Sequence, residues 1–338
     1  MTSLSRPFAP FDDEKNPPGN DRLVLAPLRG VTGRVFREVF ARHFGGLDEA
    51  VAPFIPTVHG ARVKPRLLAD VQPQSADAAR KGLRAPPVVP QVLGRDPAAL
   101  RVMLGALRGL GHDRVNLNAG CPWPMVVKRG RGAGLLADET ALAGMLEAGC
   151  ETLGRGFSVK VRLGLDDTAR LLKLMPLLNS FPLGGVAIHA RTARQMYEGA
   201  VDLDAFARAA DACAHPVTYN GDIFTLADFA RLKERFPGIT QWMVGRGVVR
   251  DPLLCGRIKS GVESPPDLAR VMAFHDDYFA AVCAELSGAR AVLGRMKELW
   301  FYLHHSLPRG EKLLRGVQLC ATLEEYHKVT QASRPAQT

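Results

Sequence analysis

The chemistry in this chain gathers where short apolar runs stop abruptly. The plainest case is Val115-Asn116-Leu117-Asn118-Ala119-Gly120-Cys121-Pro122. Apolar residues give way to Asn, Gly and Pro, the pattern of a buried strand entering a loop. The thiol of Cys121 is then the first reactive group past the strand. Gly120 beside it lets a flat ligand approach the backbone. Farther on, Gly130-Arg131-Gly132-Ala133-Gly134-Leu135-Leu136 supplies a flexible loop before the next helix. Taken alone, Cys121 is equally an ordinary free cysteine in a tight turn.

Such ends recur along the chain. Strands are expected at 23–28, 50–54, 88–93, 114–118, 157–163, 185–189, 216–220 and 241–245. Helical spacing lies between most of them, including 96–109 after Asp96-Pro97, 138–153 after Asp138, 202–213, and 225–236 after Thr225. Thr32 reads as the N-cap of a helix carrying Val35, Phe36, Val39 and Phe40. Alternating strands and helices argue for parallel βαβ units. Eight units over about 240 residues predict a closed (β/α)8 TIM barrel rather than an open sheet. Residues 1–22, rich in Pro, Asp and Asn, read as a mobile extension, which leaves 23–262 for the barrel. After Ser264-Pro265-Pro266 only helical periods remain: Val271, Phe274, Tyr278 and Phe279, then Met296, Leu299, Trp300 and Leu303. These predict a small all-helical domain over 263–330 and a short tail, 331–338.

In a barrel, polar residues at the C-terminal strand ends converge on one site. Read in order, those ends offer Pro27-Leu28, Gln91, Asn118 with Cys121, Lys160 with Arg162, His189 with Arg191, Asn220-Gly221-Asp222 and Gly245-Arg246-Gly247. Each has an ordinary alternative, such as a core histidine or a surface turn. Seven independent accidents at the same end of seven strands are a weaker explanation than one site. Backbone amides at Gly221 and Gly245, with Arg246 adding a charged fork, suit a phosphate. An inward lysine, glutamine and histidine suit a flavin ring, whose anionic reduced form a cation stabilises. No G-x-G-x-x-G follows the first strand, so a bound dinucleotide of the Rossmann kind is not indicated. None of the six cysteines forms a C-x-x-C pair, and no metal site is expected.

The order Ala26-Pro27 through Gly30, Gln91, Asn118 to Pro122, Lys160-Val161-Arg162, His189 to Thr192, Asn220-Gly221-Asp222 and Gly245-Arg246-Gly247 resembles the tRNA dihydrouridine synthases. The resemblance runs from about Leu23 to Leu319. It implies FMN held by Pro27, Leu28, Arg29, Gln91, Lys160, His189, Asn220, Gly221, Asp222, Gly245 and Arg246, with NADPH as electron donor. It implies uridine contacts from Asn118 and Arg191, with Tyr197 nearby, and it makes Cys121 the general acid. Hydride reaches C6 of the uracil and a proton must reach C5 from the opposite face. A thiol near its usual pKa of about 8.5 is protonated at neutral pH and suits that task.

A stacked base cannot react, so the target uridine must leave the tRNA D-loop for the barrel mouth. Arg295, Lys297 and Arg315 are the candidate tRNA phosphate contacts in the tail. Trp300 and Tyr302 are expected to pack the helical bundle. Gly294-Arg295-Met296-Lys297, followed by an aromatic-rich helix, is similar to the bacterial type acting on uridine 16. Three departures stand out. Leu28 replaces a usual Met, Arg29 is unusual beside it, and Pro124 stands where a basic residue is common. Lys128, Arg129 and Arg131 supply charge farther along that loop.

The formal net charge of +10 and a pI near 9.6 fit a polyanionic partner. The helical tail is nearly balanced in charge, so it would hold nucleic acid through one basic face. No secretory leader opens the chain and no apolar run reaches membrane-spanning length. A cytoplasmic monomer with reduced thiols is expected. Two other readings remain open on the residues alone. One is an FMN barrel acting on a free pyrimidine, like the dihydroorotate dehydrogenases. The other is a non-catalytic RNA-binding barrel.

Overall fold

The computed structural model describes residues 21–60, 62–73 and 85–332. Most of the expected extension 1–22 lies outside them. Asp21 is described, and its carboxylate accepts from Trp242 Nε1 at 2.9 Å and Lys233 Nζ at 2.7 Å.

Ten short strands form one parallel sheet: β1 (Arg22–Leu25), β2 (Glu49–Val51), β3 (Ile55–Pro56), β4 (Val88–Val89), β5 (Gln91–Leu93), β6 (Val115–Ala119), β7 (Phe157–Arg162), β8 (Val186–His189), β9 (Val217–Asn220) and β10 (Gln241–Val244). They are eight staves, because β2–β3 and β4–β5 are each one extended run broken by proline. Pro53 and Pro90 have no N–H for the ladder. Pro90 still accepts from Asn116 N at 2.9 Å. Stave two pairs with stave three through both halves, β2 with β4 and β3 with β5. With β1 paired to both β10 and β2, the ring closes. This is the expected barrel, with two staves interrupted where 50–54 and 88–93 were expected to be whole.

The helices follow the strands: α1 (Arg34–His43), α2 (Pro97–Gly109), α3 (Glu139–Leu153), α4 (Arg170–Asn179), α5 (Leu203–Asp211) and α6 (Leu226–Arg235). Asp96 and Asp138 cap α2 and α3 by accepting from Ala98 N and Ala141 N. Thr225 and Asp228 form a reciprocal capping box on α6. Thr32 is a correction, since Gly33 occupies the N-cap of α1. The Thr32 hydroxyl instead accepts from Leu28 N at 2.8 Å and faces Ala26 O at 3.1 Å, tying the loop after β1 into a tight turn.

Strand residues alternate between two environments. Leu23, Leu25, Val115, Leu117, Val159, Val161, Ile188 and Val244 join the layer between sheet and helices. A smaller apolar cluster, Val24, Ala26, Val51, Val89, Ala187 and Met243, lines the barrel interior.

The chain ends in α7 (Arg246–Arg250), α8 (Leu254–Ser260), α9 (Leu268–Glu285), α10 (Ala289–Leu303), α11 (Gly310–Leu319) and α12 (Leu323–Gln331). Phe274 on α9 meets Phe36 and Phe40 on α1 edge to face, at 5.7 and 6.1 Å between ring centroids. Trp300 is buried and donates to Tyr326 Oη at 2.8 Å, locking α10 to α12. The tail therefore shares buried core with the barrel's first helix. It leans over the loop after β1, where a Cβ on Gly30 would fall 2.1 Å from the Glu298 carboxylate. A cleft of about 310 Å³ lies there, lined by Arg29, Val31, Lys297, Glu298, Phe301, Tyr302 and Gln318.

Candidate active site

The polar strand ends meet inside the barrel mouth. A hydrogen-bond chain crosses three staves. Asn118 Nδ2 donates to Gln91 Oε1 at 2.7 Å, Gln91 Nε2 to Asn116 Oδ1 at 2.8 Å, and Asn116 Nδ2 to Ser158 Oγ at 2.9 Å. Its direction is set at one end. Asn118 Oδ1 accepts from the backbone amides of Gly120 and Cys121, at 3.1 and 2.8 Å, and amides can only donate. Each side-chain amide in the chain is oriented in turn. The same two contacts wrap the loop around Asn118 and fix where Cys121 leaves the strand.

Cations surround that loop. Arg162 is buried, yet no carboxylate pairs with it among the described residues. Its guanidinium donates to Gly120 O at 3.0 Å and Thr192 O at 2.8 Å, and it lies 5.4 Å from the Tyr197 ring centre. Lys160 Nζ donates to Asn220 Oδ1 at 2.7 Å. Asn220 is held by Met243 O at 2.8 Å. His189 is buried without a hydrogen-bond partner among the described residues, its ring 6.1 Å from that of Tyr197.

Burial and crowding set the protonation states. Burial raises the Cys121 thiol, against the Trp123 amide and the charges of Arg162, Arg29 and Lys160. The thiol is a proton carrier at neutral pH. Burial, then the Arg162 charge, depresses the Lys160 ammonium to about 7. Burial likewise brings Arg162 down to about 10. His189 is held well below its ordinary value, by burial first and then by Arg162, Lys160, Arg191 and Arg246, so it is neutral.

Asp222 is the carboxylate of this mouth. It takes both ends of the Arg191 fork, at 2.9 and 2.5 Å, and Arg246 Nη2 at 2.5 Å. Burial pushes it up, but the two arginines more than offset that and hold it below the usual carboxylate range. Arg191 is buried and also donates to Gly199 O, so it braces the loop that presents Tyr197. Arg246 stacks over the Tyr197 and Phe224 rings at 4.9 and 5.3 Å. Gly245 packs within 3.2 Å of Ala26 as a Cβ would lie, and a Cβ on Gly221 would strike Tyr219 Oη at 2.3 Å. Gly221 thus answers a steric demand, and Gly245 sits in a tight contact. Pro27 and Leu28 sit in the Thr32-tied turn.

The tail candidates divide. Arg315 is exposed on α11. Lys297 donates to Gln318 O and Cys320 O, at 2.9 and 2.8 Å, capping the end of that helix. Arg295 is half-buried on α10, one turn from Glu298. Tyr302 is half-buried and lines the cleft beside Arg29. Two residues given no role from sequence belong to the site: Arg162, and Asn116 with its link to Ser158. Their strand position was the signal, since each stands on the inward side beside a residue already singled out.

The mouth of this (β/α)8 barrel thus gathers a thiol raised by burial on a fixed turn, a buried arginine with no carboxylate partner among the described residues, a lysine depressed to about 7 and a neutral histidine. The sequence profile described as dihydrouridine synthase matches residues 24–336, and the chain belongs to the dihydrouridine synthase family. It is similar to the tRNA-dihydrouridine(16) synthases of Ralstonia nicotianae, 31% identical over 86% of this chain and 90% of that one, and of Pseudomonas putida, 31% identical over 89% and 95%. The Neisseria meningitidis serogroup A protein of the same name is 28% identical over 94% and 96%. Among solved structures, morphinone reductase matches with a TM-score of 0.53 at 11% identity, covering 74% of this chain and 88% of that one. The old yellow enzyme of Trypanosoma cruzi matches at 0.52 and 12%, covering 76% and 94%. At these identities the structural likeness speaks for the barrel alone.

Proposed function

We propose that this chain reduces the C5=C6 bond of a D-loop uridine in tRNA, at position 16, with FMN as cofactor and NADPH as electron donor. The names and full-length coverage of the bacterial relatives support the substrate and its position. The observation that carries the chemistry is the Asn118-anchored turn, which holds a protonated Cys121 near buried Arg162 and half-buried Lys160.

The mouth fits a flavin mononucleotide. His189 is buried without a protein partner, and Lys160 has three donors with one acceptor engaged, so both can serve the ring's carbonyl and nitrogen acceptors. Gln91, Pro27, Leu28, Arg29 and Asn220 line the ring and its chain in this reading. Gly221, Asp222, Gly245 and Arg246 face the phosphate, with Asp222 orienting Arg246. When bound, the flavin supplies hydride to C6 of the uracil.

The remaining work falls to the protein. Cys121 Sγ holds the proton that C5 receives, and burial keeps it there at neutral pH. Arg162, desolvated and without a carboxylate, stabilises the negative charge that grows toward the C4 carbonyl. Asn118 has one Nδ2 hydrogen left for a uracil carbonyl after Gln91 takes the other. Tyr197, 44% exposed, closes the substrate side, held in place by Arg191. The helical segment 263–330 holds the tRNA body, through exposed Arg315 and the Arg295–Lys297 face. Action as a monomer in the cytoplasm belongs to the same proposal; no helix among the described residues is long and apolar enough to cross a membrane.

The test is dihydrouridine mapping of tRNA from a strain lacking this protein, compared with its parent. Loss of one D-loop dihydrouridine, at position 16, is expected. Loss at another position overturns the site assignment, and an unchanged profile in a strain with no second synthase overturns the function.

A further inference from the structure

The loop that presents Cys121 also displays two of the largest apolar side chains left in water. Trp123 is 55% exposed and Met125 59% exposed. This is not a loose segment. Pro122 and Pro124 restrict the backbone on either side of the indole. Trp123 O accepts from Val126 N at 2.8 Å and Val127 N at 3.0 Å, and Ala133 N donates to Cys121 O at 3.0 Å. A Cβ on Gly132 would lie 2.8 Å from Cys121 O, and one on Gly134 would lie 2.7 Å from Val127 O. The loop is packed tightly against itself while its indole faces solvent.

Cations complete the surface. Lys128 and Arg129 are exposed at the end of the same helical turn, and neither has a carboxylate partner among the described residues. A fixed aromatic face beside unpaired cations matches an unpaired nucleotide, with a base to stack and a phosphate to neutralise. We infer that Trp123 is a stacking platform for an RNA base flanking the one drawn into the barrel, with Lys128 and Arg129 on the adjoining phosphates. The inference rests on the tRNA reading above and adds a recognition surface to it. Flipping a base leaves its neighbours without a stacking partner, and Trp123 stands two residues from the thiol that must meet the flipped base.

The chain offers its own reporter. It has three tryptophans, and Trp242 and Trp300 are fully buried. Acrylamide quenching of the holoenzyme's tryptophan emission therefore reads Trp123. Saturating tRNA is expected to protect that emission. Trp123→Ala is expected to raise the tRNA Kd about five- to a hundredfold, from the worth of one stacked base. Trp123→Phe should restore it to within about threefold, with flavin content unchanged throughout. If tRNA binds but Trp123 stays quenchable, or Trp123→Ala binds as well as wild type, the platform is overturned while the tRNA reading stands. If tRNA does not bind at all, both fall. Protection that appears with protein concentration alone, without RNA, would assign the face to a second copy and also overturn the inference.

Discussion

The two ends of the barrel interior are built from the same staves and the same kinds of side chain, yet they differ in how their cations are paired. At the floor, Glu49 takes Arg114 in a two-point ion pair at 2.5 and 3.1 Å, and Arg22 approaches it at 3.5 Å. Thr218 and Gln241 meet at 3.3 Å, and the space left is about 40 Å³. At the mouth, Asp222 pairs with Arg191 and Arg246, while Lys160 and Arg162 have no carboxylate partner among the described residues. Polar residues inside a barrel are thus not by themselves a site. The site is where donors outnumber the partners that the protein provides, and that surplus is what an anionic ligand or a developing negative charge would use.

Breaking the mouth at its reacting group should have the largest effect. Cys121→Ala is expected to lower tRNA turnover by roughly 10²–10⁴ while keeping flavin, in line with the loss of one general acid. Cys121→Ser should fare little better, because a hydroxyl is too weak an acid. The sign of the pH dependence follows from the raised thiol. An acid works while protonated, so turnover should hold through neutral pH and fall only above the ordinary thiol range of about 8.5. A profile that rises with pH there would remove Cys121 as the proton donor. Next in size is Arg162→Leu, expected to cost about 10²–10³ in turnover as one charge-stabilising group is lost. Its flavin content and tRNA affinity should change much less. If affinity falls and turnover holds, Arg162 binds tRNA rather than stabilising charge.

Much of this contrast was legible before any coordinates. Each mouth residue interrupts an apolar run near its C-terminal end, and seven such interruptions in register imply a barrel and a common site. The breaks at Pro53 and Pro90 were missed, although a proline cannot donate to the ladder, because a continuous apolar run hid them. A helix at α4 was not singled out either, although Leu171, Leu174, Met175 and Leu178 recur at helical spacing and are all buried. Pairing between distant residues was not legible. Nothing in sequence says that Arg191 spends its fork on Asp222, 31 positions away, or that Lys297 caps Gln318 and Cys320. Those choices depend on which chain segments the closed barrel and the tail bring within 3 Å. Arg162 was seen and given no role for the same reason. Only the fold shows that it is buried without a carboxylate.

The floor sharpens the comparison from the other side. Glu49→Gln removes the carboxylate that Arg114 and Arg22 both approach, and should lower stability by about 1–3 kcal/mol. The figure is kept below that of a fully buried pair, because the Arg114 and Arg22 side chains are 30% and 37% exposed. Denaturant midpoints would show the loss, and turnover at a temperature where the variant is folded should stay within about twofold of wild type. A tenfold fall in turnover would mean that the floor is part of the active machinery.

The smallest expected effect tests whether the two ends are separate at all. Ser158 sits beside the floor cavity, yet it terminates the chain that passes through Asn116 and Gln91 to Asn118 and the Cys121 amide. Ser158→Ala removes the bond from Asn116 and the long 3.5 Å one to Val115 O, and leaves the Asn116 amide short of an acceptor, worth about 0.5–1.5 kcal/mol of stability. The mouth end of the chain is held by two backbone amides that the substitution does not touch. Gln91 and Asn118 should therefore keep their orientation, and turnover should change by less than about threefold. A larger fall, with flavin and tRNA binding intact, would show that the amide directions are set from the floor upward. The separation of a floor whose cations are paired from a mouth where some are not would then describe their electrostatics but not their mechanics.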